Sequence, residues 1–409
     1  SVVGIHPSKF DTENRDSKIT EIANTLDISE DTIINKLNAN SNPEYFVPIV
    51  DILSSDEKLT TLINRADEGI IINEKTSRVY TGGEAFGRLI GYVGAITAEE
   101  LESKNDKGYT ESSLIGKAGI EQVYEDTLRG EDGAEIYLSR NNEEISILKK
   151  EVINGTDVKL TIDSTLQINS YEQLNGEKGA VTAVDPKTGE VLALVSAPSY
   201  DSNMFTTYVT KTKAAEREAN DYTDQINRFS KTYAPGSTMK LITASIGLNT
   251  GVLNADETVT IDGLSWQKDS SWGNYNITRV HNTTTPMTLR EAAKYSDNIY
   301  FAQLALKIGG EILINGLKGF GIGEDITFEY PMTKSSISNN GALDNEILLA
   351  DTGYGQGELM VTPLNMALAY SALANNGDIM NPTLVLSSNT SPTLWKESAI
   401  KAEYLPTLI

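Results

Sequence analysis

Ser237 and Lys240 are the residues of this sequence whose types and spacing could do chemistry, in the run Tyr233-Ala-Pro-Gly-Ser-Thr-Met-Lys240. Pro235 and Gly236 break whatever precedes them, and residues 238–246 then carry apolar side chains at helical spacing. A serine at a helix start sits among free backbone N–H groups at the positive end of the dipole. A lysine three residues on stacks over the same face of the first turn. A hydroxyl nucleophile, an amine base and a site for a developing oxyanion would then lie close together, which is what acyl transfer needs.

The same letters have a purely structural reading. Serine is a favoured N-cap, and a lysine one turn later is ordinary. Ser-x-x-Lys fixes only two positions and recurs at Ser55 and Lys58, in an acidic stretch with no Pro-Gly before it. A second polar cluster, Ser296-Asp297-Asn298, falls in a break between two helical runs. Taken alone, it reads as the polar start of a helix.

Composition narrows the classes. The 409 residues suggest two or three domains, and 39% hydrophobic content is enough for ordinary cores. With 34 basic and 57 acidic residues the net charge is −23, which makes nucleic acid or an anionic membrane surface a poor partner. The sequence has no cysteine, so disulfides and thiolate metal sites do not arise. His6 and His281 are the two histidines, too few for a His-rich metal site and a poor basis for a Ser-His-Asp triad. No metal or nucleotide cofactor is expected. No run of 18 apolar residues spans a membrane, and the start at Ser1-Val-Val-Gly4 reads as a piece of something longer.

The elements that must position the pair follow from pattern. Residues 21–37 hold two short amphipathic stretches joined at Asp27-Ile28-Ser29, which imitate a DNA-binding helix-turn-helix. Glu30 and Asp31 stand where phosphate contacts would have to form, so two small packed helices are expected. Residues 67–73 and 78–80 look like short strands, and the glycines around 83–94 imply close packing. Thr97 and Glu100 have the form of a capping box, and residues 116–124 lead into another short helix that ends near Arg129. A boundary is expected near Asn154-Gly155, with residues 1–154 as a mixed α/β pedestal and 155–409 as a second domain.

In the second domain, residues 158–162 alternate as a strand, and Asp163 and Ser164 cap a helix reaching Leu174. Residues 179–184 and 190–196 form the clearest hairpin, closed by Asp185-Pro-Lys-Thr-Gly189 and too apolar to be wet on both faces. Residues 200–229 read as a polar connection to Ser237, and 258–261 as a short strand. Residues 266–275 form an aromatic, glycine-containing loop. Thr288 and Glu291 make a second capping box, for a helix that breaks at residues 295–298. The next helix runs from Asn298 to Ile308 and stops at Gly309-Gly310. Thr362-Pro363 opens a later one that ends at Asn375-Asn-Gly377.

Ser-x-x-Lys followed by Ser-Asp-Asn is the motif order of the serine penicillin-binding proteins and β-lactamases. The resemblance is wider than the two motifs. The stretches DPKTGEVLALVSAPSYD, WQKDSSWGNYNITR and LDNEILLADTGYGQGE all resemble class B penicillin-binding proteins, most narrowly the low-affinity, methicillin-resistance type of transpeptidase. Residues 116–133 resemble that family's non-catalytic lobe.

The resemblance implies a multidomain α+β fold, an antiparallel sheet with helices on both faces preceded by a dimerisation-type pedestal. It implies Ser237 as nucleophile, Lys240 as its base, Ser296 as proton relay to the leaving amine and Asn298 as partner of Lys240 and of the substrate amide. Asp297 would be structural, and the Ser237 N–H would supply half of the oxyanion hole. The family's third motif, Lys-[Ser/Thr]-Gly on a later strand, has its single match at Lys187-Thr-Gly189, upstream and in a hairpin turn, hence a decoy. The end at Ile409 is expected to fall inside a helix, before the strands that would carry the third motif.

The function implied is a D,D-transpeptidase acting on peptidoglycan stem peptides ending in D-Ala-D-Ala. It would be acylated by β-lactams and work at the extracytoplasmic face of the cell membrane beside a membrane glycosyltransferase. A β-lactam sensor or β-lactamase, and a non-catalytic division scaffold, are the alternatives.

Overall fold

The computed structural model describes residues 1–10, 14–65, 69–104, 107–140, 143–283 and 286–409. The chain divides into two compact units. The first comprises residues 1–158 with 171–179 and 196–226, and the second residues 159–170, 180–195 and 227–409. Both mix helices with small antiparallel sheets, the α+β class expected.

In the first unit, Val2–Ile5 is the central strand of three, flanked by Val47–Asp51 and Ile70–Asn73, with Val3 opposite both Val50 and Ile72. Helices Arg15–Leu26 and Glu30–Ala39 cover the sheet. Ile5, Ile22, Leu26, Ile33 and Ile49 are buried between them. Each such side chain contributes about 1.5–3 kcal/mol by leaving water. The two helices meet at Asp27, which adopts a left-handed conformation, and Ser29 caps the second by accepting from the Thr32 N–H. They are the packed pair that the acidic turn predicted.

The glycine-rich stretch packs as tightly as its composition implied. A side chain on Gly87 would run into the Tyr200 carbonyl, and one on Gly91 into that of Ala118. The Thr97–Glu100 capping box is present. Two segments differ from expectation. Of residues 67–73 only Ile70–Asn73 is a strand, and Asp67 and Glu68 lie outside the described residues. Residues 78–80 form no strand, because Asn203 takes both backbone groups of Tyr80 that a neighbouring strand would need, at 2.8 and 2.7 Å. The segment from Tyr200, read as a polar connection, is built into this unit instead. It carries helices Asn203–Thr206 and Lys211–Ala219, and Phe205 stacks on Tyr92 at 3.7 Å between ring centroids.

The second unit begins at Lys159–Leu160, shorter than expected and paired with Val385–Leu386. The hairpin of Gly179–Val184 and Val191–Ala197 forms as its turn chemistry dictates, with Asp185 accepting from the Lys187 and Thr188 N–H groups. Its sheet has two strands. The inner strand is finished by other means: the buried Gln167 amide brackets Leu194 through 2.7 and 2.8 Å bonds, and the Thr383 carbonyl accepts from the Val191 N–H at 2.9 Å. Every residue of the outer strand is half-buried, so that strand is only partly covered. Thr258–Ile261 makes a single bridge, Val259 to Met287, rather than a strand.

The second unit also holds a helical cluster. Helix Lys240–Asn249 is buried on nearly every face, an apolar run that only a core can hold. Around it pack Asn298–Ile308 and Gly310–Gly319, and Glu346–Thr352 packs in turn on Asn298–Ile308. Gly316 admits Ile246, and Gly353 sits against Phe301 and Ala305 while its carbonyl accepts from Thr243 Oγ1 at 2.8 Å. This rigid cluster is what the candidate site is mounted on.

Candidate active site

Local geometry at the buried helix follows from Pro235-Gly236. Residues Gly236–Met239 form one turn of 3-10 helix that runs directly into Lys240–Asn249. In a 3-10 turn, residues three apart eclipse each other, so Ser237 and Lys240 share a face. The turn is pinned from outside. Gly236 donates to the Gly355 carbonyl at 2.8 Å, Tyr233 and Val361 exchange 2.8 and 2.9 Å backbone bonds, and the Tyr370 hydroxyl donates to the Thr238 carbonyl at 2.7 Å. Ser237 is exposed, whereas Lys240 keeps only 4% of its surface.

Lys240 Nζ lies 3.0 Å from Ser237 Oγ, 2.6 Å from the Ser296 carbonyl, 2.8 Å from Ser296 Oγ and 2.7 Å from Asn298 Oδ1. Ser296 Oγ is in turn 2.9 Å from Ser237 Oγ. All four residues expected to form the site are therefore brought together, although Ser296 and Asn298 stand more than fifty positions along the chain from Lys240.

Two of the lysine's four neighbours, the Ser296 carbonyl and Asn298 Oδ1, can only accept. A neutral amine has two N–H groups and one lone pair, which these two acceptors and one hydroxyl proton would satisfy. Burial pushes Lys240 down to about 8, against the pull of the Asp297 carboxylate. The centre can thus hold a free amine beside a hydroxyl near neutral pH, the requirement for general-base activation of serine.

Ser296 reaches the lysine because its backbone is left-handed, at φ +51°. The break after helix Leu289–Lys294, whose Thr288 N–H is taken by Glu291, supplies the turn. Asp297 then caps helix Asn298–Ile308 by accepting from the Tyr300 N–H at 3.0 Å. Its other oxygen meets Arg279 Nη1 at 2.8 Å, with both side chains 1% exposed. Arg279 was missed in the sequence. Its one signal was its place as the last residue of the aromatic stretch that carries the family resemblance, 18 positions before Asp297.

The other candidates separate cleanly. Ser55 stands in a turn, and the Lys58 amine donates to the Tyr208 hydroxyl at 3.0 Å, away from Ser55. Lys187 is exposed in its hairpin turn.

A serine, a second serine and a buried lysine thus stand in mutual contact at a helix start, the arrangement that Ser-Lys acyl transfer would need. Residues 179–408 match the penicillin binding protein transpeptidase domain, and residues 1–160 the penicillin-binding protein dimerisation domain. The chain belongs to the class B penicillin-binding protein family. It is 43% identical to Penicillin-binding protein 3 of Bacillus subtilis over 98% of its own length and 59% of that relative's. It is 30% identical to peptidoglycan D,D-transpeptidase MrdA of Haemophilus influenzae over 91% of this chain and 60% of that protein. To MrdA of Acinetobacter baumannii it is 27% identical, over 93% and 59%. The chain thus spans about three fifths of the length of these relatives. No described helix is long and apolar enough to cross a membrane.

Proposed function

We propose that the protein is a peptidoglycan D,D-transpeptidase with Ser237 as its nucleophile. The observation that carries this reading is the Lys240 amine, buried and lowered to about 8, 3.0 Å from Ser237 Oγ in a chain matched to the transpeptidase family. Ser237 Oγ attacks the carbonyl of the penultimate D-Ala of a stem peptide as its proton passes to Lys240 Nζ. The oxyanion forms at the helix start, with the Ser237 N–H as one donor. Ser296, 2.9 Å from Ser237 Oγ, hands a proton to the departing D-Ala amine as the C–N bond breaks. The amine of a neighbouring stem then attacks the ester, and its proton returns along the same path to Ser237. Asn298 holds the lysine and offers its amide to the substrate backbone. A β-lactam carbonyl would be attacked in the same way.

On this reading residues 1–154 serve as a dimerisation-type pedestal and 155–409 as part of the transpeptidase domain. The stretches at 185–201, 266–279 and 343–358 support placing the protein with the low-affinity, methicillin-resistance type. The polymer substrate puts its work at the extracytoplasmic face of the cell membrane, beside a glycosyltransferase that makes the strands it joins.

The test is covalent labelling. The full-length protein incubated with a fluorescent penicillin should gain one adduct, mapped by peptide mass to the segment containing Ser237. An adduct on Ser55 or Ser296 with Ser237 unmodified would sink the assignment.

A further inference from the structure

We infer that Arg279 is a positioning residue for this centre: through its pair with Asp297 it holds the Ser296 turn against Lys240 and shields the lysine from the carboxylate's charge. The inference rests on the proposed roles of Ser237 and Lys240.

Arg279 is tied on every side. Nε donates to the Gly263 carbonyl at 2.7 Å, and Nη2 to the Ile261 carbonyl at 3.1 Å and Asn282 Oδ1 at 3.3 Å. Nη1 donates to Thr283 Oγ1 at 3.3 Å and to Asp297 Oδ2 at 2.8 Å. A buried guanidinium with so full a set of acceptors is a fixed point. It follows directly on Thr278, whose carbonyl accepts from Asn298 Nδ2 at 3.0 Å. Two adjacent residues therefore anchor Asp297 and Asn298 of the Ser296–Asn298 turn. Asp297 spends one oxygen on Arg279 and the other on the helix N-terminus, which leaves Ser296 at φ +51° with its carbonyl and hydroxyl both on the lysine.

The electrostatic half concerns sign. The Asp297 carboxylate favours the charged lysine, and burial opposes it. Arg279 lies against that carboxylate and offsets its field at Lys240. The other charged groups on the elements packed around the Lys240 helix lie at its rim. Arg290, Glu291 and Lys294 on one neighbour, Lys307, Glu311 and Lys318 on two more and Glu403 near the end are all exposed. Tyr300, buried on the helix that Asp297 caps, is pushed up to about 12 and stays neutral. Among the described residues, Asp297 is the buried charge that acts on the amine, and Arg279 is the buried charge paired with it.

The two halves of the pair should therefore act in opposite directions. The experiment measures the second-order rate of acylation by a penicillin against pH, in the full-length protein and two variants. Arg279→Gln leaves the carboxylate uncompensated, so the rising limb should move up by about half a unit or more, and the rate at pH 7 should fall at least about threefold. Asp297→Asn leaves the guanidinium facing the lysine, so the limb should move down while the plateau drops. A purely structural role would lower both plateaus and leave the midpoint in place, and that result overturns the inference. Asp297→Asn keeps the side-chain shape and decides alone should Arg279→Gln fail to fold. If the parent takes no adduct on Ser237, the proposed function falls and this inference with it. A parent labelled there whose variants keep its midpoint sinks the inference only.

Discussion

The carbonyl oxygen of Ser296 lies 2.6 Å from Nζ of Lys240, and the contact exists because Ser296 is held left-handed at φ +51°. A residue with a β-carbon costs about 1–3 kcal/mol in such a conformation and stays there only if its surroundings insist. Here they do, through Asp297 and its two partners. The strain turns a backbone carbonyl, which cannot ionise or rotate away, into a permanent acceptor for the lysine. That acceptor and Asn298 Oδ1 occupy the two N–H groups of a neutral amine and leave the lone pair to a hydroxyl.

Acylation should accordingly follow the lysine's ionisation. Its folded value is about 8, below the usual 10.5, so the active neutral fraction rises with pH through about 8. Folding has the matching sign. Between these values the unfolded chain binds more protons, so the penalty for burying Lys240 is full below about 8 and is relieved as pH rises toward 10.5. In Lys240→Arg the guanidinium stays protonated, and acylation should fall by about two or more orders of magnitude at every pH up to 10. The check is the rate of covalent labelling from pH 6 to 10. A parent profile flat across that range would separate Lys240 from the rate.

Asn298→Ala removes one of the two obligate acceptors, at 2.7 Å, together with the 3.0 Å bond to the Thr278 carbonyl. The amine then swings or recruits water, and a buried polar partner is left unmatched, at a cost of about 1–3 kcal/mol. Acylation should drop by about tenfold or more, since 1.4 kcal/mol is one decade. Stopped-flow or gel-based labelling with Asn298→Asp alongside makes the reading specific. The carboxylate keeps the hydrogen bond but holds the lysine charged, so it should be as slow as alanine at neutral pH and recover in part at high pH.

What could be read in the sequence divides by range. Ser237 and Lys240 are three residues apart behind Pro235-Gly236, so one turn of helix settles their relation, and the hairpin and both capping boxes are local in the same sense. Ser296 and Asn298 joined them only through a family's motif order, because nothing in spacing brings residues more than fifty apart into contact. Arg279 was invisible for a sharper reason. A lone arginine in a loop is usually solvated, and its worth here depends on acceptors from 261, 263, 282, 283 and 297 that only the fold assembles. Residues 78–80 read as a strand because side-chain pattern cannot report that Asn203 would take the backbone groups of Tyr80.

Gly355 tests the support behind the nucleophile. It accepts from the Gly236 N–H at 2.8 Å and sits at φ +81°, and a β-carbon on it would meet the Gly236 backbone. Gly355→Ala therefore adds backbone strain and pushes on the residue next to Ser237. Thermal or denaturant unfolding should show a loss of about 1–3 kcal/mol. Acylation should slow by more than the unfolded fraction explains. A variant as stable and as fast as the parent would mean that this contact positions nothing.

Lys187-Thr188-Gly189 is the sharpest test of how a motif should be read, because its letters are those of the family's third motif and its setting is not. The three residues close the hairpin between Gly179–Val184 and Val191–Ala197. The Asp185 carboxylate accepts from the N–H groups of Lys187 and Thr188 at 2.8 and 3.0 Å, and Gly189 supplies the left-handed position at φ +79° where a β-carbon would strike the Asn381 carbonyl. Each letter is thus accounted for by turn geometry. The Lys187 side chain is exposed. Lys187→Ala should change acylation by less than about twofold and stability by no more than about 0.5 kcal/mol, as at most surface positions. Gly189→Ala, by contrast, should cost about 1–3 kcal/mol through strain while leaving the acylation rate of the folded fraction near the parent's. Both are read by labelling rate and circular dichroism on the same samples. Loss of acylation in a folded Lys187→Ala protein would put this lysine in the site, and the hairpin-turn account of the motif would have to be given up.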